Sequence, residues 1–521
     1  MKNSIKYILP ICALFFASCE DFLKEEPKSF LSPDNFYQTM DDINAGLNAV
    51  YRAPYDRYSA NWASPCWFEW GTDIEEITDK STWAHHNEIA RLPSTFNASS
   101  TIPEDFWKYT YNHLKDDNNL LKALPNVPIS GEEKKLIEGQ ARALRAFLYF
   151  DAVRVYNGVP LLLESSTDLE FLKTVSRATP ESIYEAIITD LEYAKEVLPD
   201  RWNNASDWGR ITSGGAAAML AKVYLTMAGY PLKQTDKLEK ARVLLEEFVE
   251  KKTYGAHYRL LPEYSQLFDE ATGPGDEGVW IINFTRGTFG QGSQWHTEFA
   301  PLELYYAQGF GLTYGGGWSN GLPTDHVGTQ EGCRFYNSYD QEKDKRFKYT
   351  YWSSTAEIPD EFDAIVPKDE NGNPQHIAFY RPHIKKFREK MPNDNSQGSG
   401  LDHSIIRYAD VLLMYAEVLN ELGNSKCYEY INMVRERAGL EPLQTMSKDA
   451  FREHLMLERA WELCFEGDRK FDLLRWGVYC TRTPEWNPQV KGNIQEGKHE
   501  FWPIPKSQRD VNVNLTQNPG W

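Results

Sequence analysis

The sequence predicts a mainly α-helical protein in which helix pairs flank a loop-rich middle section. Apolar residues recur at helical spacing through much of the first half and again towards the end. Between about residues 254 and 403, turn signals such as "GPGDEG", "YGGGWSNGLP" and "DENGNPQ" are frequent instead. With 41% hydrophobic and 25% charged residues, the chain of 521 residues has an ordinary globular composition and can bury a large core.

The chain begins with a predicted lipoprotein signal peptide, residues 1–18. Lys2 and Lys6 precede the apolar run "YILPICALFFAS", which is too short to span a bilayer as a helix. The run ends in "FASC", which matches the bacterial lipobox, so we expect cleavage before Cys19 and lipid on its thiol. An ordinary signal peptide with a chance cysteine is the alternative. No later apolar run is long enough to span a membrane, so the sequence predicts a protein held at a membrane surface.

An acidic, proline-containing stretch, "EDFLKEEPKSFLSP", follows Cys19 and is typical of a tether. Within the helical part after it, Thr179 is a predicted N-cap and Pro180 takes the first helical position. The small residues Gly214 to Ala218 would let neighbouring helices approach closely. The helix pairs suggest tetratricopeptide units, although a 34-residue period is not sustained. Helical periods predict helices over residues 41–55, 131–158, 179–200, 212–231 and 236–250.

The middle section contains few strand-like pieces, of which "GVWIINF" at residues 278–284 is the clearest. Helical periods resume over residues 404–424 and 426–440. Long loops inside a compact fold are usually functional. The section from about 254 to 403 is therefore the predicted ligand-binding region.

Charge and cysteine usage exclude several classes of function. The 56 basic and 75 acidic residues give a net charge of −19, so a nucleic acid would meet net repulsion. After loss of Cys12 and lipidation of Cys19, five scattered cysteines remain without a C-x-x-C pair, which favours buried thiols over disulfides or zinc. The adjacent His85 and His86 point in different directions and make poor metal ligands. The sequence indicates no cofactor and no metal.

The stretch "LERAWELCFEGDRKFDLLRWG" is either an acid/base site or a salt-bridged framework. Glu458, Glu462 and Glu466 are four residues apart and share one helix face. Gly467 suits the end of that helix, and Asp468 suits the cap of the next. Large apolar neighbours would bury these charges, so they must be paired, which favours the framework. The apolar neighbours are Trp461, Phe465, Phe471, Leu474 and Trp476, and the arginines at hand are Arg459, Arg469, Arg475 and either Arg435 or Arg437.

Sequence motifs of common enzymes are absent: there is no G-x-S-x-G, no H-E-x-x-H, no P-loop and no EF-hand loop. The glycine-rich "GFGLTYGGG" does not lie between a strand and a helix as a nucleotide-binding loop does. A two-carboxylate glycosidase needs only two suitably spaced acids, so a lipid-anchored hydrolase stays open as an alternative.

Aromatic residues give the better functional signal, because a sugar ring stacks on an aromatic face while its hydroxyls pair with polar side chains. The chain holds 16 Trp and 29 Tyr residues, and any one of them can instead be core. One cluster comprises Tyr58, Trp62, Trp67, Trp70 and Trp83, and a second comprises Trp295, Tyr305, Tyr306, Phe310, Tyr314 and Trp318. The candidate ligand contacts are Trp83, Trp295, Tyr314, Trp318 and Asn320.

Several ordered motifs along nearly the whole chain resemble the SusD/RagB family of surface lipoproteins of Bacteroidetes. They include the lipobox with "CEDFLKEEP", then "QARALRAFLYFDAVRVYNGVPLLL", "GRITSGGAAAMLAKVYLTMAG" and "IIRYADVLLMYAEVLNELG". The stretch "LERAWELCFEGDRKFDLLRWG" and the ending "FWPIPKSQRDVNVNLTQNPGW" complete the resemblance.

The resemblance implies a SusD-like fold, in which tetratricopeptide-like helix pairs support a loop-rich ligand-binding region. It divides the chain into the signal peptide, an N-terminal helical region at 19–230 and a C-terminal region at 231–521. It also implies a non-catalytic, surface-exposed protein that is lipid-anchored in the outer membrane and captures glycans. The partner would be a SusC-like TonB-dependent transporter. In the starch-binding member an aromatic arc holds the glycan, and Trp83 and Trp318 lie in comparable regions.

Three functional hypotheses follow. The leading one is glycan capture for the transporter. The second is a RagB-like protein that captures peptides in the same role. The third is the lipid-anchored glycoside hydrolase. Binding of sugars, binding of oligopeptides, or release of product from a glycan would distinguish them.

Overall fold

A computed structural model of the chain describes residues 36–59, 64–77, 84–286, 292–293, 295, 321–323, 334–352, 383–387 and 399–521. The fold is mainly α-helical, as predicted. The first half contains α1 (Met40–Val50), α2 (Arg52–Tyr58), α3 (Ala84–Arg91), α4 (Thr101–Ala123), α5 (Gly131–Tyr156), α6 (Leu169–Leu172), α7 (Pro180–Val197), α8 (Ser213–Ala228) and α9 (Lys237–Val249).

The second half contains the remaining helices and most of the short strands. The helices are α10 (Arg334–Asn337), α11 (Lys345–Thr350), α12 (Tyr408–Glu421), α13 (Cys427–Arg437), α14 (Lys448–Leu463), α15 (Arg469–Arg475), α16 (Tyr479–Trp486) and α17 (Lys506–Val511). The strands are β1 (Glu75–Ile77), β2 (Gly278–Ile282), β3 (Gly321–Pro323), β4 (Tyr351–Trp352), β5 (His383–Ile384) and β6 (His403–Arg407). Within the described ranges they form three antiparallel pairs, β1 with β3, β2 with β6 and β4 with β5.

Helix starts follow the local sequence signals. The Thr179 hydroxyl accepts a hydrogen bond from the Ser182 N–H at 3.3 Å, and Pro180 opens α7, as the sequence predicts. At the start of α5, Ser130 and Glu133 cap one another's backbone N–H groups in a capping box.

The helices pack in a continuous layered order. Along the chain, α4 contacts α5, α5 contacts α7, α7 contacts α8, α8 contacts α9, α9 contacts α12, and α12 contacts α13 and α14. Consecutive helices lying side by side in this way match the predicted tetratricopeptide-like pairs. The small residues at the start of α8 lie in a helix that packs closely against α7 and α9, and they also contact a neighbour that was not predicted. A Cβ atom added at Gly214 would lie 2.9 Å from the Tyr254 carbonyl oxygen, so this face receives the chain after α9 as well as helices.

The part of the loop-rich section that follows β2 begins and ends on neighbouring strands. Gly278 pairs with Arg407 and Ile282 pairs with His403 across β2 and β6, so the chain leaves the scaffold and returns to it at one place. The strand prediction for "GVWIINF" is confirmed by β2. Trp280 on this strand is buried and packs edge-to-face against Phe147 of α5, which ties the small sheet to the helical layers.

Candidate functional site

The carboxylates that could have formed an acid/base site lie in a buried ion-pair network. Glu458 and Glu462 on α14 are both 0% exposed. One nitrogen of Arg346 donates to Glu458 Oε1 at 2.8 Å and to Glu462 Oε2 at 3.0 Å. Arg407 donates to Glu462 Oε1 at 2.5 Å and to Glu466 Oε2 at 2.9 Å. The negative charge of each glutamate is therefore neutralised by a direct ion pair with at least one arginine.

Only some of the arginines expected from the sequence form ion pairs with these glutamates. Arg435 donates to Glu458 Oε2 at 2.8 Å, and Arg437 pairs with Glu462, as predicted. The other three candidates have different acceptors, because Arg459 pairs with Asp410 and Asp472, Arg469 with Asp73, and Arg475 with Glu417 and Asp472. Arg346 and Arg407, which sequence reasoning missed, lie far from α14 along the chain and only tertiary packing brings them to it.

The predicted helix end within this stretch is wrong by four residues. Helix α14 ends at Leu463 rather than beside Gly467, because Phe465 already takes a left-handed φ of 65°. Asp468 stands at the N-cap position of α15 as predicted, but its side chain makes no capping hydrogen bond. Its carboxylate pairs instead with Lys222 and with Arg154. The apolar neighbours bury the stretch as expected, with Trp476 partly exposed.

The network holds its glutamates in the ionised form. Burial alone would raise the pKa of Glu458, but Arg346, His454 and Arg435 outweigh it and lower the pKa to about 2. For Glu462, burial is likewise outweighed by Arg437, Arg407 and Arg346, so its pKa lies far below the usual range. A general acid or base needs a pKa near the working pH and access to substrate. These two carboxylates have neither.

The same network fastens the loop-rich section to the helical scaffold. Arg346 comes from α11 and Arg407 from the end of β6, and both reach Glu462 on α14. Lys386, just after β5, donates to Glu466 Oε1 at 2.6 Å and to the Cys464 carbonyl at 2.8 Å. Arg407 also donates to Glu277, which immediately precedes β2, at 3.0 Å. Three separate parts of the section, at Glu277, Arg346 and Lys386, are thus anchored at one buried point, together with Arg407 just after the section ends.

Beside Arg407 and Glu466 of this network lies a cluster that we call the aromatic floor, made of Tyr58, Trp295, Phe387 and His403. The ring centroids of Tyr58 and His403 are 4.6 Å apart, as are those of Trp295 and His403. Phe387 meets Trp295 edge-on at 5.5 Å. Burial lowers the pKa of His403 to about 4, so its ring is neutral at pH 7 and packs as an aromatic group.

The structure describes one of the five candidate ligand contacts. Trp295 is 3% exposed within the aromatic floor, so its ring packs in the core and presents no open face to a sugar. Trp67 and Trp70 of the early cluster are buried as well. The candidates Trp83, Tyr314, Trp318 and Asn320, together with the predicted lipidation residue Cys19, lie outside the described residues.

One exposed aromatic residue beside this region was missed. Trp208 is 57% exposed in the loop between α7 and α8, within the segment "RWNNASDWGR". Neighbouring Gly209 lies against Asn283, whose amide donates to Asp402 Oδ2 at 2.8 Å. The signal was present in the sequence, since tryptophan among asparagine and aspartate is the composition that pointed to the other candidates.

The described residues contain no group of three or more metal-ligating side chains. Within α3, burial lowers the pKa of His86 to about 3. Cys427 and Cys464 are buried thiols. Among the helices of the described ranges, none combines the length and the apolar character needed to cross a bilayer.

Comparison with known proteins relates this architecture to one family. Residues 276–521 match the SusD family, and residues 21–225 match a family described as "Starch-binding associating with outer membrane". SusD-like protein P2 of Formosa agariphila is 27% identical and aligns over 100% of both chains.

Two solved structures share the fold along almost the whole chain. A SusD homolog from Bacteroides thetaiotaomicron is 25% identical, with a TM-score of 0.77 over 94% of this chain and 98% of its own. A laminarin-binding SusD-like protein is also 25% identical, with a TM-score of 0.75 over 93% and 100% of the two chains. The helical fold described above is the one these solved structures share. The chain belongs to the SusD/RagB family of starch- and glycan-binding proteins associated with the outer membrane.

Proposed function

We propose that this protein is a non-catalytic, lipid-anchored receptor on the cell surface. It captures oligosaccharides or polysaccharides and passes them to a SusC-like TonB-dependent transporter in the outer membrane. The observation that carries the proposal is the full-length similarity to SusD-like proteins, one of which binds laminarin. Lipid on Cys19, after removal of residues 1–18, would hold the protein at the membrane.

The anchoring of the loop-rich section supports a binding role. Ligand sites gain affinity when their loops are fixed before the ligand arrives, because less conformational entropy is then lost on binding. Lys386 within the section and Arg407 just after its end both donate to Glu466, at 2.6 and 2.9 Å.

The state of the carboxylates supports a role without catalysis. A glycosidase pairs a general acid of raised pKa with a second carboxylate, both in contact with substrate. Glu458 and Glu462 are buried, ionised and fully engaged with arginines. These two acids of the stretch "LERAWELCFEGDRKFDLLRWG" therefore stabilise the scaffold.

The direct test is binding to a panel of polysaccharides by affinity electrophoresis and isothermal calorimetry. The panel includes laminarin and starch, and a mixture of oligopeptides is measured in parallel. Binding to at least one glycan, without release of reducing sugar, is expected. Binding to oligopeptides alone would replace glycan capture by peptide capture. Release of product from a glycan would show a hydrolase.

The site prediction is tested by Trp318→Ala. Loss of one stacking aromatic should weaken glycan binding by about three- to tenfold, since such contacts contribute about 0.5–1.5 kcal/mol. Phe171→Ala, which truncates a 48% exposed ring on α6, is the control and should bind as the unmodified protein does. Equal affinity of both variants would remove Trp318 from the site.

A further inference from the structure

Trp208 is held out to solvent by a loop that is itself firmly attached. The Trp202 indole N–H donates to the Ile211 carbonyl at 3.1 Å, and the Ile211 N–H donates to the Tyr51 hydroxyl at 3.1 Å. Arg210 pairs with Asp207 at 3.0 Å. These hydrogen bonds tie the two ends of the loop to each other and to Tyr51, while the Trp208 side chain stays 57% exposed.

The loop also touches the loop-rich section, at the residue that follows β2. Gly209 has a left-handed φ of 94°, and a Cβ atom there would overlap Asn283 Oδ1, so the backbone lies directly against this amide. Asn283 and the Phe284 N–H both donate to the Asp402 carboxylate, at 2.8 and 3.0 Å. Asp402 immediately precedes β6. An indole, an amide and a carboxylate are thus grouped where the chain leaves β2 and returns to β6.

We propose that Trp208 is an outer sugar-binding platform, with Asn283 and Asp402 as the hydrogen-bonding groups beside it. This inference rests on the proposed glycan-binding function. The indole would stack on the C–H face of a pyranose ring, and the amide and carboxylate would pair with its hydroxyls. Arg201, whose guanidinium carbon lies 5.9 Å from the Trp208 ring centroid, adds another donor. The platform would contact the part of a long chain that extends beyond the loops.

A polar ligand fits this surface better than a protein partner. Among the described residues, exposed large apolar side chains such as Leu163, Leu169, Phe171, Val511 and Val513 belong to other segments of the chain. The backbone next to Trp208 lies instead against the Asn283 amide, which donates to the Asp402 carboxylate, and the Arg201 guanidinium lies beside the Trp208 ring. Such a mixture of one aromatic face and several polar groups is typical of carbohydrate recognition.

The test compares Trp208→Ala, Trp208→Tyr and Phe171→Ala in the full chain by calorimetry. The titrants are short and long oligosaccharides of the glycan that the binding panel identifies. Trp208→Ala should weaken binding of the long chains about three- to tenfold and leave the short ones unchanged. Trp208→Tyr should restore most of the loss, and all variants should melt at the same temperature because the side chain is exposed.

Unchanged affinity of Trp208→Ala for the long chains, with Trp318→Ala weakened, would overturn the outer platform and leave glycan capture intact. If the unmodified protein binds no glycan, both proposals fail together. An equal loss with short and long chains would place Trp208 in the main site and refute an outer one. Binding of a protein partner that Trp208→Ala abolishes, without any effect on glycans, would also refute it.

Discussion

Glu462→Gln is the sharpest test of the buried network. The substitution keeps the shape of the side chain and removes the charge that Arg346, Arg407 and Arg437 share. The new amide group would also point N–H donors at guanidinium donors. Each arginine keeps another carboxylate, since Arg346 retains Asp344 and Arg407 retains Glu277. The backbone carbonyl of residue 462 continues to accept from Lys386 at 3.2 Å.

Removing one charge from a buried ion-pair network costs about 3–5 kcal/mol, because the remaining buried charges then carry an excess positive charge that nothing balances. For a chain of 521 residues, the entropy of unfolding is about 1 kcal/mol/K. The melting temperature of Glu462→Gln should therefore fall by roughly 3–5 °C in scanning calorimetry. Glu436→Gln, an exposed glutamate on α13, is the matched control and should shift it by less than about 0.5 °C.

If Glu462→Gln melts at the same temperature as the control, the ion pairs of Glu462 contribute nothing to stability, and the stabilising role of the network is wrong. The ligand offers a second check. Measured well below the melting temperature, glycan affinity of Glu462→Gln should change less than that of Trp318→Ala. The reverse order would mean that the network, rather than the loops, contacts the ligand.

Two further perturbations probe other parts of the fold. Burial raises the pKa of Glu69 to about 8, above the value of about 4.3 expected in the unfolded chain. Between these two pH values the folded protein keeps a proton on Glu69 that the unfolded chain has released. The stabilising contribution of this group is therefore lost as pH rises from about 4.5 to 8. In the unmodified protein the Gly467 N–H donates to Glu69 at 2.6 Å, and the amide oxygen of Glu69→Gln can still accept this bond. The urea midpoint of Glu69→Gln should decline less over this pH range than that of the unmodified protein. Parallel curves of midpoint against pH for the two proteins would contradict the assignment. In Gly229→Ala, a Cβ atom would overlap the Arg475 carbonyl, which accepts from the Tyr230 N–H at 2.8 Å, so unfolding free energy should fall by about 1–3 kcal/mol. Gly131→Ala, where no atom lies within 4 Å, should be neutral or stabilising in the same chemical denaturation, and similar losses in both variants would disprove the steric explanation.

Much of the helical fold follows from local sequence patterns. Helix α7 begins at Pro180 behind Thr179 because the cap and the fixed proline φ act over neighbouring residues. The end of α14 was misplaced because a local glycine signal at Gly467 is overridden by Phe465, which is 0% exposed and drawn into the core. Within the candidate site, aromatic composition identified residues able to stack on sugar but could not separate Trp295, which is buried, from Trp208, which is exposed.

The helical character of the chain, the need to pair its acids and the resemblance of its ordered motifs to one family could all be predicted from the amino-acid sequence. Those properties depend on spacing along the chain. The identity of the arginines that contact Glu462 could not be predicted in this way, because Arg346 and Arg407 approach α14 through β-pairing and helix packing. Tertiary packing also buries Trp295 and leaves Trp208 exposed. Burial is a property of the packed whole, so no local pattern encodes it.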